Sequence, residues 1–258
     1  MPPEQRRVLV TGAGSGIGRA LAVEAARRGM AVALVGRRRE ALAETAALLP
    51  PDAQRLILPA DVTDNEQRRW LTSEIASVWG DLNVLVNNAG VVLGGAAARI
   101  GDDALAQLFA INAIAPMALA RDFLPLLVKA SGAKVVNVGS MFGDIPYPGF
   151  AAYSASKFAL RGYSTALRRE WSSLGIDVIY AAPRATRTDA AVAFANLIAA
   201  TGMKLDPPDL VARQVWDACE LRRQSVYPRG PERLFVLLQR LFPKLIDRAL
   251  AKQTATLN

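Results

Sequence analysis

The sequence predicts a single α/β domain built on a doubly wound parallel sheet with helices on both faces. Three observations predict it. Short β-branched runs alternate with amphipathic stretches along the whole chain, the pattern of strand–helix–strand crossovers. The first run feeds a glycine-rich loop and then a helix, the layout of a phosphate-binding turn. No internal repeat, low-complexity linker or composition break divides residues 1–258, so they read as one domain.

Arg7 to Thr11 (RVLVT) is the first strand, running into Gly12-Ala13-Gly14-Ser15-Gly16-Ile17-Gly18 and a helix to about Arg28. Glycines let the backbone approach a pyrophosphate, and the helix start supplies free N–H groups and a positive dipole end. The spacing is T-G-x-x-x-G-x-G, because Ile17 stands where the commoner dinucleotide fingerprint has its last glycine. Met30 to Gly36 (MAVALVG) is the second strand, followed by Arg37, Arg38 and Arg39 and a helix to about Leu49. In dinucleotide folds an acid at the end of this strand holds the ribose 2′-hydroxyl of NAD, whereas arginine accommodates the 2′-phosphate of NADP. Gly36 followed by arginines therefore predicts NADP(H) over NAD(H), with Arg37 and Arg38 as the phosphate partners. At least one of the three arginines then only starts a solvated helix.

Arg55 to Ala60 (RLILPA) is the third strand, and Asp61-Val62-Thr63-Asp64 leads into a helix running to about Trp79. Asp64 is the expected N-cap; Asp61, at the strand's end, is an acceptor for an adenine amino group. Leu82 to Val86 is the fourth strand, leaving through Asn87-Asn88-Ala89-Gly90, which suits a tight turn with backbone close to a ligand. A long helical region from about Asp102 to Lys129 contains Asn112 in the apolar setting LFAINAIAP. A buried amide is costly unless bonded, so Asn112 is either a locally satisfied kink or part of a site.

The strand Lys134 to Gly139 delivers Ser140, and the following helix carries Tyr153 and Lys157 on one face, one turn apart, before ending near Ser172. An ammonium beside a phenol stabilises the phenolate, so the spacing predicts a Tyr153 pKa lowered toward neutrality, suited to proton transfer on an alcohol or carbonyl. Ser140 is a hydroxyl at the carboxyl end of a strand, where open α/β sheets place ligands. Ile176 to Ala182 is the sixth strand, ending at Pro183. An apolar segment, 189–206, is followed by a helix from Pro207 to Arg222 and a short strand from Ser225 to Tyr227. Residues 231–252 form a basic amphipathic helix interrupted by Pro243.

Composition narrows the chemistry. The chain has no histidine and a single cysteine, Cys219, which excludes a Ser-His-Asp triad and a His-ligated metal site and leaves no zinc site expected. Cys219 reads as a small buried residue. The net charge is +8, but the arginines are scattered along helices rather than gathered with aromatics on one face, so no nucleic-acid partner is expected. The start, MPPEQRRVLVTG, has no apolar signal segment, and no charge-free run spans a bilayer, which predicts a cytoplasmic location. The C-terminal stretch combines apolar residues at helical spacing with Arg and Lys, as interfacial helices do, so it is a candidate for peripheral membrane contact. Packing on the domain or on a second subunit is the alternative.

The loop Thr11 to Gly18, Asn87-Asn88-Ala89-Gly90, Asn112, Ser140, Tyr153-Ser-Ala-Ser-Lys157 and Thr188 follow in the order and spacing of the short-chain dehydrogenase/reductase family, which the chain resembles over nearly its whole length. The resemblance implies a Rossmann-type sheet of seven parallel strands, a bound nicotinamide dinucleotide, a homodimer or homotetramer, and hydride transfer between nicotinamide and a carbonyl or secondary alcohol. It implies that Tyr153 is the general acid in reduction, that Lys157 holds the nicotinamide ribose, that Ser140 orients the substrate oxygen, and that Asn112 organises a water linking Lys157 to solvent. The cofactor contacts it implies are Gly12, Ser15, Gly16, Ile17, Gly18, Asp61, Val62, Asn88, Ala89, Gly90, Tyr153, Lys157, Pro183, Thr186 and Thr188, beside Arg37 and Arg38. It makes 189–206 a substrate lid, and AAVAFANLIAA within it points to an apolar, lipid-like substrate. One departure stands out: the family usually has Pro-Gly after the sixth strand, and this chain has Pro183-Arg184. If that position needs positive φ, Arg184 costs about 1 kcal/mol or more. A non-catalytic dinucleotide sensor is the alternative reading, though it would not need Ser140, Tyr153, Lys157 and Asn112 together.

Overall fold

The structure, a computed structural model, describes residues 5–195, 198, 204–228 and 230–254. Seven strands, β1 (Arg7–Thr11), β2 (Ala31–Gly36), β3 (Arg55–Pro59), β4 (Val84–Asn87), β5 (Lys134–Val138), β6 (Asp177–Ala181) and β7 (Ser225–Val226), form one parallel sheet in the order β3-β2-β1-β4-β5-β6-β7. The order reverses at β1, with β2 on one side and β4 on the other, and that reversal opens a crevice at the carboxyl ends of β1 and β4.

Both faces of the sheet are covered, which is why the strands read as near-continuous apolar runs. Val8 and Val10 join Leu21 of α1 (Gly16–Arg27), Leu42 of α2 (Arg39–Ala47) and Trp216 of α7 (Pro208–Glu220). Leu9, one residue away and pointing oppositely, joins Leu71 of α3 (Asn65–Val78), Phe123 of α5 (Ala115–Leu127) and Leu167 of α6 (Ala151–Glu170). Trp216 Nε1 donates to the Leu21 carbonyl at 3.0 Å, so the indole is buried with its one polar group satisfied. Cys219 is buried in the same layer. Asp64 caps α3 by accepting from the N–H groups of Glu66 and Gln67.

The long helical region resolves into α4 (Asp102–Phe109), a π-helical turn (Ala110–Ile114) and α5. By length and composition Asp102–Leu127 is apolar enough to cross a membrane. Here it is a core helix, with Leu119, Phe123, Leu126 and Leu127 buried against the sheet.

Several element ends fall a residue or two from the expected ones, and the expected interruption at Pro243 is present. The last strand stops at Val226, and the C-terminal helix breaks at Phe242 into α8 (Glu232–Leu241) and α9 (Pro243–Thr254), because Pro243 cannot donate into a preceding turn. In the segment 189–206, Asp189–Phe194 forms a 3-10 turn, while residues 196, 197 and 199–203 lie outside the described residues.

Candidate active site

The crevice is a cleft of about 340 Å³. Its floor depends on two loops touching. The hydroxyl of Thr11, at the end of β1, accepts the N–H groups of Asn88 (2.9 Å) and Ala89 (3.0 Å) and donates to the Val86 carbonyl (3.2 Å). Asn88 Nδ2 returns a bond to the Thr11 carbonyl at 2.9 Å. Glycine is required at this junction. Gly12 has φ +65°, and a Cβ there would sit 2.9 Å from the Asn88 side chain; a Cβ at Gly18 would overlap the Gly12 carbonyl. The result is bare backbone facing the cleft at the start of α1, the cradle a pyrophosphate needs.

Gly12, Ser15, Gly16, Ile17, Gly18, Arg37, Arg38, Asp61, Val62, Asn88, Ala89, Gly90, Tyr153, Lys157 and Thr188 all line this cleft. Arg39 instead begins α2, as expected of one of the three arginines. The Asp61 carboxylate accepts from the Thr63 N–H (2.9 Å) and hydroxyl (2.7 Å) at the cleft's edge. Pro183 and Thr186 are found beside the cleft, close to Thr188, which borders both spaces. They line an adjoining cavity of about 450 Å³ together with Ser140, Phe142, Tyr153, Arg184 and Phe194. The cause is that the chain turns away after β6: the Pro183 carbonyl accepts from Met141 N–H at 3.0 Å, and buried Thr186 bridges to Asp206.

Tyr153 stands where the two cavities meet. It is 6% exposed and hydrogen-bonded to the Ser140 side chain. Ser140 Oγ also accepts from Phe142 N–H at 3.2 Å, which caps the short 3-10 turn after β5. Lys157 is 4% exposed; its Nζ donates to the Val138 carbonyl at 3.2 Å and lies 5.8 Å from the centre of the Tyr153 ring. Burial pushes the Tyr153 phenol up to about 12 and the Lys157 ammonium down to about 8. This corrects the expectation of a phenol lowered by its lysine. Desolvation disfavours both charged forms, and the Ser140 hydrogen bond offsets it only in part at Tyr153. At neutral pH Tyr153 therefore carries its proton and Lys157 is mostly cationic.

Asn112 is fully buried in the π-helical turn. Its Oδ1 accepts Val91 N–H (2.9 Å), and its Nδ2 donates to the Val91 carbonyl (2.9 Å) and to Ser156 Oγ (3.1 Å). A Cβ on Gly90 would lie 3.2 Å from Asn112 Oδ1 and 3.4 Å from Lys157 Nζ, so the missing side chain leaves room for both groups.

Phe142, Tyr147 and Phe150 were not anticipated as contributors from sequence, whereas Phe194 lies in the expected apolar lid and Arg184 stood out as a departure. Phe142, Tyr147, Phe150 and Phe194 form a ring cluster beside Tyr153, with Phe150 and Phe194 stacked at 5.0 Å. Arg184 does not have positive φ, so the feared strain is absent. It grips Asp206 with Nε and Nη2 (2.8 and 2.7 Å) and Glu232 with Nη1 (2.6 Å). Phenylalanines scattered through a loop and ion pairs 22 and 48 residues apart leave no local sequence signal.

Residues 6–196 match the family described as short chain dehydrogenase. The chain belongs to the short-chain dehydrogenase family. A short-chain dehydrogenase named virD from Hypocrea virens is 39% identical over 182 residues, 69% of this chain. The match spans 61% of that relative's length, somewhat under two thirds. A 3beta-hydroxysteroid dehydrogenase from Mediterraneibacter gnavus is 35% identical over 72% of this chain and 67% of its own. Among solved structures, a short-chain dehydrogenase/reductase from Burkholderia phymatum in complex with NAD superposes with a TM-score of 0.86 at 25% identity, covering 93% of this chain and 95% of that one. A short-chain dehydrogenase from Streptomyces avermitilis gives 0.82 at 28% identity over 98% and 99%. The fold is thus the family's Rossmann-like sheet, and the chain is an oxidoreductase of its kind, working between alcohol and carbonyl with a nicotinamide dinucleotide.

The Lys157 environment gives a pH signature. Below about pH 7 the ammonium is charged and dinucleotide affinity is expected to be level. As pH rises through about 8, rather than the ordinary lysine value of 10.5, the charge is lost and affinity weakens. Fluorescence titration of NADPH from pH 6 to 10 checks this, and Lys157→Met should remove the inflection. An affinity unchanged up to pH 10 in the unaltered protein would separate Lys157 from the ligand.

Proposed function

We propose that the protein is an NADP(H)-dependent oxidoreductase that interconverts a carbonyl and its secondary alcohol on an apolar or lipid-like substrate. The observation that carries the reading is the placement of Tyr153, between a glycine-floored cleft that suits a dinucleotide and a cavity walled by aromatic rings. When bound, the dinucleotide supplies or takes up the hydride at the substrate carbon.

The chain's own groups handle the oxygen. Ser140 Oγ accepts from Phe142 N–H, so its hydroxyl proton is available to donate to a substrate carbonyl oxygen where charge develops. Tyr153, protonated at neutral pH, gives its proton to that oxygen in reduction and recovers it in oxidation. Lys157 presents an ammonium to the ribose side of the cleft and favours the phenolate once Tyr153 has given up its proton. Asn112 holds the Val91 backbone against the helix that carries both. The apolar lining of the second cavity, with Met141, Phe142, Val92 and Phe194, supports an apolar reacting end, as does a relative named for a hydroxysteroid. Residues 1–258 work as one unit, assembled as a homodimer or homotetramer.

Tyr153→Phe is expected to lower turnover about a hundredfold or more, the scale of positioned proton transfer, while NADPH affinity stays within about twofold. A screen of apolar ketones and secondary alcohols, followed by NADPH absorbance, supplies the assay. Substantial turnover in Tyr153→Phe would sink the assignment.

NADP(H) preference rests on Gly36, which leaves no carboxylate to repel a 2′-phosphate, and on exposed Arg37 and Arg38 at the cleft edge. A charge-assisted bond contributes roughly 1.5–3 kcal/mol, and each 1.4 kcal/mol is tenfold in affinity. The expected preference is therefore about ten- to a hundredfold in kcat/KM, inverted by Gly36→Asp with Arg37→Ala. Equal kcat/KM with both cofactors in the unaltered protein would show the arginines to be a solvated helix start.

A peripheral membrane contact at the cytoplasmic side is favoured by one observation. Leu234, Phe235, Leu237, Leu241, Phe242 and Leu245 of α8 and α9 are exposed among Arg233, Lys244 and Arg248. The full chain is expected to pellet with vesicles rich in phosphatidylserine, and Leu241→Glu with Phe242→Glu to remain in the supernatant. If both forms stay in the supernatant, the exposed row serves a second subunit instead.

A further inference from the structure

We propose that Tyr180, in β6, is a positioning residue for Ser140. The proposal rests on the catalytic reading of Ser140 given above and names a residue which that reading does not use.

The carboxyl end of β5 carries the argument. Beyond Val138 the parallel ladder continues for alternate residues: Gly139 N–H donates to the Ala181 carbonyl at 2.7 Å, and Met141 N–H to the Pro183 carbonyl at 3.0 Å. Ser140 lies between them, so its own N–H and C=O face away from that ladder. The phenol of Tyr180 takes both. Ser140 N–H donates to Tyr180 Oη at 3.4 Å, and Tyr180 Oη donates to the Ser140 carbonyl at 3.2 Å. One hydroxyl thus holds the peptide groups on both sides of the Ser140 Cα. That fixes the direction in which the Cα–Cβ bond, and so Oγ, points.

The surroundings are shaped for this contact. A Cβ on Gly139 would overlap the Tyr180 ring and hydroxyl, and a Cβ on Gly143 would overlap the hydroxyl. The two glycines flanking the serine loop leave a slot that the phenol fills. Tyr180 is buried, and Met141, Ala182 and Val236 of α8 pack around it. A phenylalanine would satisfy that apolar packing equally well. What it would lack is the pair of bonds to Ser140.

A double-mutant cycle with four proteins tests the role: unaltered, Tyr180→Phe, Ser140→Ala, and both. Tyr180→Phe is expected to lower kcat about tenfold while NADPH affinity stays close to the unaltered protein's and the melting temperature falls by only a few degrees, as the loss of two hydrogen bonds requires. In the Ser140→Ala background, assayed at raised enzyme concentration, the same change is expected to alter kcat less than twofold, because the group it positions is gone. 4-Aminophenylalanine at position 180 keeps the ring and a donor for the Ser140 carbonyl, and is expected to recover most of the lost kcat. If Tyr180→Phe does not fold, this variant and the unaltered residue are compared with Tyr180→Met in the same two backgrounds. An equal fall in kcat with and without the Ser140 hydroxyl, or no fall at all, would overturn the proposal. Full turnover in Ser140→Ala alone would instead overturn the catalytic reading on which it rests.

Discussion

The site depends on one buried amide. Asn112 spends both ends of its side chain on Val91 and its remaining donor on Ser156, and in doing so it joins the loop leaving β4 to the helix that carries Tyr153 and Lys157. Without it, the Val91 N–H and carbonyl would lose these partners, and the loop its tie to the helix. The π-helical turn is what allows this. One extra residue in the turn between α4 and α5 widens the backbone there and lets a side chain from a core helix face the loop. Gly90, by having no side chain, leaves the space that Asn112 Oδ1 and Lys157 Nζ approach.

Burial then decides the protonation states. A phenol and an amine enclosed together are both pushed toward their neutral forms, and the structure keeps Tyr153 an acid without making Lys157 uncharged at neutral pH. An acid that holds its proton until charge appears on a nearby oxygen suits carbonyl reduction. Oxidation asks the same residue for a base, which it becomes only as pH rises.

Much of this was legible in the sequence because it is local. The strands were readable since both faces of a parallel sheet are covered, and the glycine loop since its spacing is set within eight residues. Tyr153 and Lys157 share a face because a helix repeats nearly every four. What escaped was non-local. The pKa of Tyr153 was read with the wrong sign because desolvation belongs to packing, not to spacing. The bonds that place Pro183 and Thr186 beside the neighbouring cavity, from Met141 and to Asp206, join residues far apart in the sequence. Tyr180 looked like any strand aromatic, because the slot it fills is made by Gly139 and Gly143 of another segment.

Arg184 shows how a departure from the family pattern is absorbed. Since φ at this position is not positive, the replacement of the usual glycine is an electrostatic event rather than a backbone one. A guanidinium bound through two donors of one edge to Asp206 and through a third donor to Glu232 engages both carboxylates, which a glycine could not. Asp206 ends the segment that returns from the 3-10 turn, and Glu232 opens α8. One cation thus ties both to the loop after β6, which is itself bonded to the serine loop through Met141. The same tie holds α8 with Val236 inward against Tyr180 and leaves its larger apolar side chains outward. The C-terminal helix therefore meets the cavity beside Tyr153 only at its start, at Glu232, packs Val236 inward, and leaves its larger apolar side chains exposed.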